Sequence, residues 1–189
     1  MALQVPIDEL TRADDGFDSA AVLPLVEEAL AGADDGELFI EARQSEAFVL
    51  DDSRLKTASY DSARGFGLRA TAGEAIAYAH ATELTQAALA RAAAAVRAVA
   101  AGHGGTLDVP PRRTNRILYS ADNPLDGTPV TAKIDVLAAI DTYARAKDAR
   151  VRQVSASLAA SWQAVRILRP GGEEVSDIRP LVRLNVSIM

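Results

Sequence analysis

Arg64-Gly-Phe-Gly-Leu-Arg-Ala-Thr-Ala-Gly-Glu-Ala-Ile-Ala-Tyr-Ala-His-Ala81 is the stretch whose reading decides the fold. Side chains along a strand point alternately to opposite faces. Here Phe66, Leu68 and Ala70 share one face, while Gly65, Gly67, Arg69 and Thr71 share the other. One face is apolar and the other is nearly bare. Past a turn at Gly73, Glu74, Ile76, Tyr78 and His80 alternate with Ala75, Ala77, Ala79 and Ala81. Two period-two segments joined at a glycine predict an antiparallel hairpin, and the all-alanine face predicts an element packed very close against it.

A suitable element follows. Thr82 or Thr85 can cap a run of strong helix formers through Ala101, closed by Gly102, so alanine is expected to meet alanine. Upstream, Val22, Leu23, Leu25, Val26, Ala29 and Leu30 recur at helical spacing between Ser19 and Ala31, with Asp18 or Ser19 as cap and Gly32 at the stop. Glu37 to Leu50 reads as a strand, Asp51 to Ser53 as a turn, and Arg54 to Tyr60 as a second strand. Downstream, the stretch from Gly102 to Pro129 is rich in glycine and proline and reads as loop, with a short strand at Ile117 to Tyr119. Val130 to Asp148 has a helical apolar stripe interrupted by one acid, Asp141. Val151 to Trp162, Gln163 to Arg169 and Val175 to Met189 read as strands, with Pro170 to Gly172 as a turn.

These elements predict an α+β fold: a mainly antiparallel, twisted sheet with helices packed on one face, since hairpin signals join neighbouring strands and no regular β-α-β alternation occurs. A helix-hairpin pattern recurs at a separation of roughly 118 residues, a candidate internal repeat in which Phe66 and Leu68 fall on Leu184 and Val186. Residues 1–189 are therefore read as one domain with halves at 17–101 and 130–189 joined by 102–129.

The chain has 189 residues, 49 % of them hydrophobic and 24 % charged, enough to build a packed core without a metal or disulfide. A net charge of -6 disfavours direct nucleic-acid binding, which rests on basic surface. The one basic run, Pro110 to Arg116, lacks interleaved aromatics and reads as an exposed loop. Charged residues punctuate Met1 to Gly16, unlike a signal peptide, and no segment has the roughly 20 apolar residues of a membrane span. A soluble, cytoplasmic chain is expected, consistent with the absence of cysteine.

Chemistry-bearing patterns are sparse. The only two histidines, His80 and His103, lack the spacing that sets two imidazoles on one helix face. His80 shares a strand face with Tyr78 and reads as structural. No Gly-x-Ser-x-Gly elbow is present. The pairs Asp14-Asp15, Asp34-Asp35, Asp51-Asp52 and Glu173-Glu174 fall in turns, where carboxylates are solvated. Gly65 and Gly67 lack the third glycine and following helix of a phosphate loop. Glycines in a strand do let a second backbone approach, so Arg64, Gly65, Phe66, Gly67 and Arg69 are the candidate contacts for an extended peptide or an interface; close packing against a neighbouring domain fits them equally.

The segment Leu50-Asp-Asp-Ser-Arg-Leu-Lys-Thr-Ala-Ser-Tyr60-Asp-Ser-Ala-Arg64-Gly-Phe-Gly-Leu-Arg-Ala70, continuing to His80, resembles the amino-terminal signature of TldD proteins. The likeness extends through Leu118-Tyr-Ser-Ala-Asp-Asn-Pro-Leu125, Ile140-Asp-Thr-Tyr-Ala-Arg-Ala-Lys-Asp148, Val154-Ser-Ala-Ser-Leu-Ala-Ala-Ser-Trp162 and Asp177-Ile-Arg-Pro-Leu-Val-Arg-Leu-Asn185. This TldD/PmbA family, also called modulators of DNA gyrase, is similar to zinc metallopeptidases that pair a TldD-like with a PmbA/TldE-like subunit and act on unfolded or modified peptides. The resemblance implies zinc ligands and a catalytic glutamate on a His-Glu-x-x-x-His helix plus a distant cysteine, in a carboxy-terminal domain outside this sequence. No catalytic residue, zinc ligand or cofactor carries over to this chain, which alone is expected to be inactive. Its expected role is a substrate-handling or assembly domain, the partners being a TldE/PmbA-like subunit and an extended peptide. The alternative is a non-catalytic interaction module for the partner subunit or for gyrase. Because the sequence stops inside a predicted strand, it reads as a piece of a longer polypeptide or a shortened gene product.

Overall fold

The computed structural model describes residues 17, 19–100, 118–120 and 122–189. The readings placed on Met1 to Gly16, Asp18, Gly102, His103 and Pro110 to Arg116 lie outside these residues. The described elements are helix α1 (Ser19–Ala29), strands β1 (Asp35–Asp51), β2 (Arg54–Ala72) and β3 (Ala75–Ala81), helices α2 (Gln86–Ala100) and α3 (Val130–Lys147), and strands β4 (Val154–Arg169) and β5 (Glu173–Ile188). They form an α+β fold with a five-stranded sheet in the order β3-β2-β1-β4-β5 and helices on one side.

Three sequence boundaries shift. Arg54 to Tyr60 and Arg64 to Thr71 belong to one strand, because the intervening Asp61-Ser-Ala63 holds no residue that breaks an extended chain. Val154 to Arg169 is likewise continuous across the expected break at Trp162. Of the short strand expected at Ile117 to Tyr119, Leu118 and Tyr119 carry none, and Ile117 lies outside the described residues.

Contacts divide the chain into two compact units, residues 1–42, 63–121 and 164–178, and residues 43–62, 122–163 and 179–189. In the first unit Val22 and Val26 of α1, Leu38 and Ile40 of β1, Phe66, Leu68 and Ala70 of β2, and Leu89 and Val96 of α2 form one buried cluster. The alanine face of β3 meets the alanines of α2 as its composition predicts: Ala77, Ala79 and Ala81 join the cluster with Ala88, Ala92 and Ala93. Thr85 is the observed cap, its Oγ1 accepting the Ala88 N–H at 3.2 Å. Gly73, at φ +58°, makes the β2-β3 turn and donates its N–H to Asp34 Oδ2 at 2.6 Å.

In the second unit α3 covers Phe48, Leu50 and Ala156 through Leu137, flanked by Ile134 and Ile140. Two polar arrangements anchor that helix. Lys133 and Glu46, both buried, pair at 2.6 Å, and Lys133 Nζ also donates to the Leu125 carbonyl at 3.0 Å. At the β1-β2 turn Asp52 and Ser53 are left-handed, with φ of 50° and 62°, as a tight two-residue hairpin requires. Such a conformation costs a non-glycine residue roughly 1–2 kcal/mol. Ser53 Oγ donates to Asp141 Oδ2 at 2.6 Å, while Arg145 bonds both Asp141 and Asp52. The acid that interrupts the apolar stripe of α3 therefore holds the strained turn.

Candidate functional site

The sequence-selected strand segment lies in β2, and its residues split by face. Phe66 is buried and stacks on Phe17 with ring centroids 5.9 Å apart. On the other face Arg69 pairs with Asp35 at 3.1 Å and Glu37 at 3.4 Å. Arg64 is exposed.

The two glycines differ in what approaches them. β3 pairs with this part of β2 in the register Gly67↔His80 and Arg69↔Tyr78. The Tyr78 ring lies diagonally across the space a Gly67 side chain would fill: an added Cβ would sit 2.6 Å from its Oη. Tyr78 in turn stacks on His80 at 5.7 Å, which accounts for that histidine as a sheet residue. Since Tyr78 is 64 % exposed, it covers Gly67 as a side chain free to swing outward. At Gly65 the obstacle is main chain, with the Ala81 carbonyl oxygen 2.7 Å from an added Cβ. Gly65 is thus required by strand packing, and Gly67 by an aromatic cover.

A second concavity carried no sequence signal. In the second unit a groove of about 290 Å³ is lined by Arg43, Ser45 and Ala47 of β1, Ser59 and Asp61 of β2, Ala159 and Ser161 of β4, and Leu181 and Arg183 of β5. Its floor is small because serine and alanine occupy these positions on neighbouring strands. The α3-packed residues Phe48, Leu50 and Ala156 are even-numbered, whereas most of the groove residues are odd-numbered, so alternation places the groove on the sheet face away from α3. Its lining carries the guanidinium groups of Arg43 and Arg183 and the carboxylates of Asp61 and Glu46, the last of them paired with Lys133, chemistry suited to polar groups of a flat, extended chain. Serines scattered over three strands have no local spacing pattern, so only the tertiary structure brings them together.

Residues 36–100 match the family model described as PmbA/TldA metallopeptidase domain 1, and residues 123–189 match the PmbA/TldA metallopeptidase central domain. The chain belongs to the TldD/PmbA family. A metalloprotease TldD homolog of Haemophilus influenzae is 38 % identical over 160 residues, covering 82 % of this chain and 33 % of the relative. Among solved structures, a protein from Bacteroides thetaiotaomicron titled as a modulator of DNA gyrase superposes with a TM-score of 0.70 at 16 % identity, covering 89 % of this chain and 40 % of that one. TldE from Thermococcus kodakarensis gives 0.58 at 16 % identity over 88 % and 38 %. These structures share the fold. The chain spans 32–39 % of the length of the curated TldD relatives it matches.

For a metallopeptidase family the location of metal ligands matters. Among the described residues no group of three or more His, Cys, Asp or Glu side chains is placed to hold a metal ion. His80 is stacked on Tyr78 and belongs to no such group. No helix among the described residues is long and apolar enough to cross a membrane.

Proposed function

We propose that this chain is the substrate-handling and assembly part of a TldD-like zinc metallopeptidase that acts on unfolded or modified peptides, with the zinc site outside these residues. The observation that carries the reading is the pair of family matches, domain 1 at 36–100 and the central domain at 123–189, in a chain with two histidines and no cysteine. Zinc bound in that enzyme would supply polarisation of the scissile carbonyl and activation of water. This chain contributes surfaces that hold an extended peptide or a TldE/PmbA-like partner subunit. The cytoplasm is the proposed compartment.

The proposed contact region is β2 from Arg64 to Arg69, with Gly65, Phe66 and Gly67 between them. Phe66 supports the strand from the core side, and an outward swing of Tyr78 exposes the Gly67 backbone. Fluorescence anisotropy of a labelled unfolded peptide, titrated with the 189-residue chain, tests the substrate-handling role. Saturable binding that weakens at least several-fold in Gly67→Val supports it. A chain that binds no peptide but co-purifies with a TldE-like subunit reduces the role to assembly alone.

A further inference from the structure

The sequence holds three Asp-Gly dipeptides, Asp15-Gly16, Asp35-Gly36 and Asp126-Gly127, of which the first lies outside the described residues. In such a pair the glycine main-chain nitrogen can attack the aspartate Cγ and close a five-membered imide, a step favoured by the absence of a Cβ beside that nitrogen. Closure requires an aspartate ψ away from the extended value, a glycine N–H released from hydrogen bonding, and room for the side chain to fold back. The two described pairs answer these demands in opposite ways. Asp35 and Gly36 belong to β1, where ψ is extended. The Asp35 carboxylate is held by Arg69 at 3.1 Å, and Gly36 is buried, a Cβ there standing 2.5 Å from the Leu30 side chain and 2.7 Å from the Arg69 carbonyl oxygen. Asp126-Gly127 lies in the turn before α3, outside any helix or strand, and Asp126, Gly127 and Thr128 are exposed. Nothing stands within 4 Å of an added Gly127 Cβ, and Gly127 N–H meets no acceptor among the described residues. The Asp126 carboxylate is tied to a neutral group, the Asn123 amide, whose Nδ2 donates to Oδ2 at 3.0 Å.

We propose that Asp126-Gly127 is a site of spontaneous aspartate isomerisation in the folded protein, and that the change loosens the loop anchoring α3. The Gly127 nitrogen forms a bond to Asp126 Cγ and gives up its proton as a carboxyl oxygen departs in water, leaving a cyclic imide. Water then adds at either imide carbonyl. Opening at Cγ returns aspartate, whereas opening at the α-carbonyl leaves the main chain running through Cβ and Cγ, with the carboxylate on Cα. Mass and charge end unchanged, and water is the one co-reactant. The isomerised chain is one atom longer between Leu125 and α3, and its carboxylate sits on a shorter arm, withdrawn from Asn123. That loop holds the helix: Leu125 is buried and its carbonyl accepts from Lys133 Nζ at 3.0 Å, while Asn123 Nδ2 also donates to Gln44 Oε1 at 2.6 Å.

The test is to age the 189-residue chain for weeks at neutral pH and physiological temperature, then map its peptides by enzymatic methylation of isoaspartate and electron-transfer fragmentation, which reads each Asp-Gly pair separately. In the folded chain isoaspartate should accumulate at 126 roughly ten-fold faster than at 35 or more, because a ladder residue reaches the imide geometry only through local unfolding. In urea the two sites should react at similar rates. Ageing in heavy-oxygen water should add one labelled oxygen per turnover, the mark of the imide. Gly127→Ala sets its Cβ in open space at a φ that is not left-handed, so it should fold as the parent does, checked by circular dichroism, and slow the reaction several-fold. Asp126→Asn, which loses ammonia in place of water, should hasten it and change the mass of that peptide, while Asp35→Asn should stay intact over the same period. The aged parent should unfold at lower urea than Gly127→Ala aged beside it. A folded chain without isoaspartate at 126 overturns the proposal, and so does accumulation at 35 as fast as at 126. An aged parent as stable as Gly127→Ala overturns the effect on α3.

Discussion

Gly65 and Gly67 sit two residues apart on one strand, yet the neighbours they face make opposite demands. A side chain at Gly67 collides with the Tyr78 ring, which is exposed and can rotate away, whereas one at Gly65 collides with the Ala81 carbonyl, which the β2-β3 ladder holds in place. Gly67→Val is therefore expected to cost about 1 kcal/mol or less in urea unfolding, and Gly65→Val about 2–3 kcal/mol. Adding Tyr78→Ala should recover most of the loss at Gly67 and none at Gly65, a coupling that a double-mutant cycle reads directly. Asp141 makes a separate residue-scale prediction. The Ser53 hydroxyl first, with Arg145 behind it, holds its carboxyl below the ordinary range against the opposing effect of burial. A depressed folded-state value means that this contribution to stability is present above the unfolded-state pKa and is lost as pH falls through the folded one. Below about pH 4 the wild-type chain should lose stability more steeply than Asp141→Asn, measured as unfolding midpoint against pH. Parallel slopes would show that the Ser53 bond does not favour the ionised form.

At the scale of elements, α3 is tied to β1 by a buried ion pair as well as by Leu137. Lys133 and Glu46 are 6 and 7 % exposed, and their 2.6 Å contact leaves little access for water. Removing one partner strands the other charge, so Lys133→Met should destabilise the chain by roughly 3–5 kcal/mol. Replacing both, with Glu46→Leu added, should recover much of that loss, because two apolar side chains carry no desolvation cost. If the double variant is no more stable than Lys133→Met, the Leu125 carbonyl left without its donor is the dominant loss. The α2-β3 contact rests on size alone: alanine on both sides allows the close approach that places Ala77 and Ala88 in one cluster.

For the whole molecule the decisive inventory is chemical. With two histidines and no cysteine in 189 residues, the dialysed chain should retain far less than one equivalent of zinc by elemental analysis and should not hydrolyse peptides. Stoichiometric zinc lost on replacing His80 or His103 would reveal a site built from this chain. The net charge of -6 makes a phosphate backbone an unfavourable partner on average.

Period-two alternation from Arg64 to Ala81, the glycine between its two segments and the alanine-rich helix beyond it were sufficient to specify the hairpin, its packed face and the α+β class, because these are local properties of spacing and side-chain size. The TldD-like signature was equally readable. Alternation is silent about cover: Phe66 and Leu68 are buried while Leu184 and Val186, alike in pattern, are about half exposed, and the difference lies in whether a helix packs over them. The Tyr78 cover depends on a cross-strand register, the Ser53-Asp141 bond joins residues 88 positions apart, and the groove gathers side chains from four strands. Those pairings were decided only in the tertiary structure, since a contact between distant positions is set by strand order and register and leaves no spacing signal along the chain.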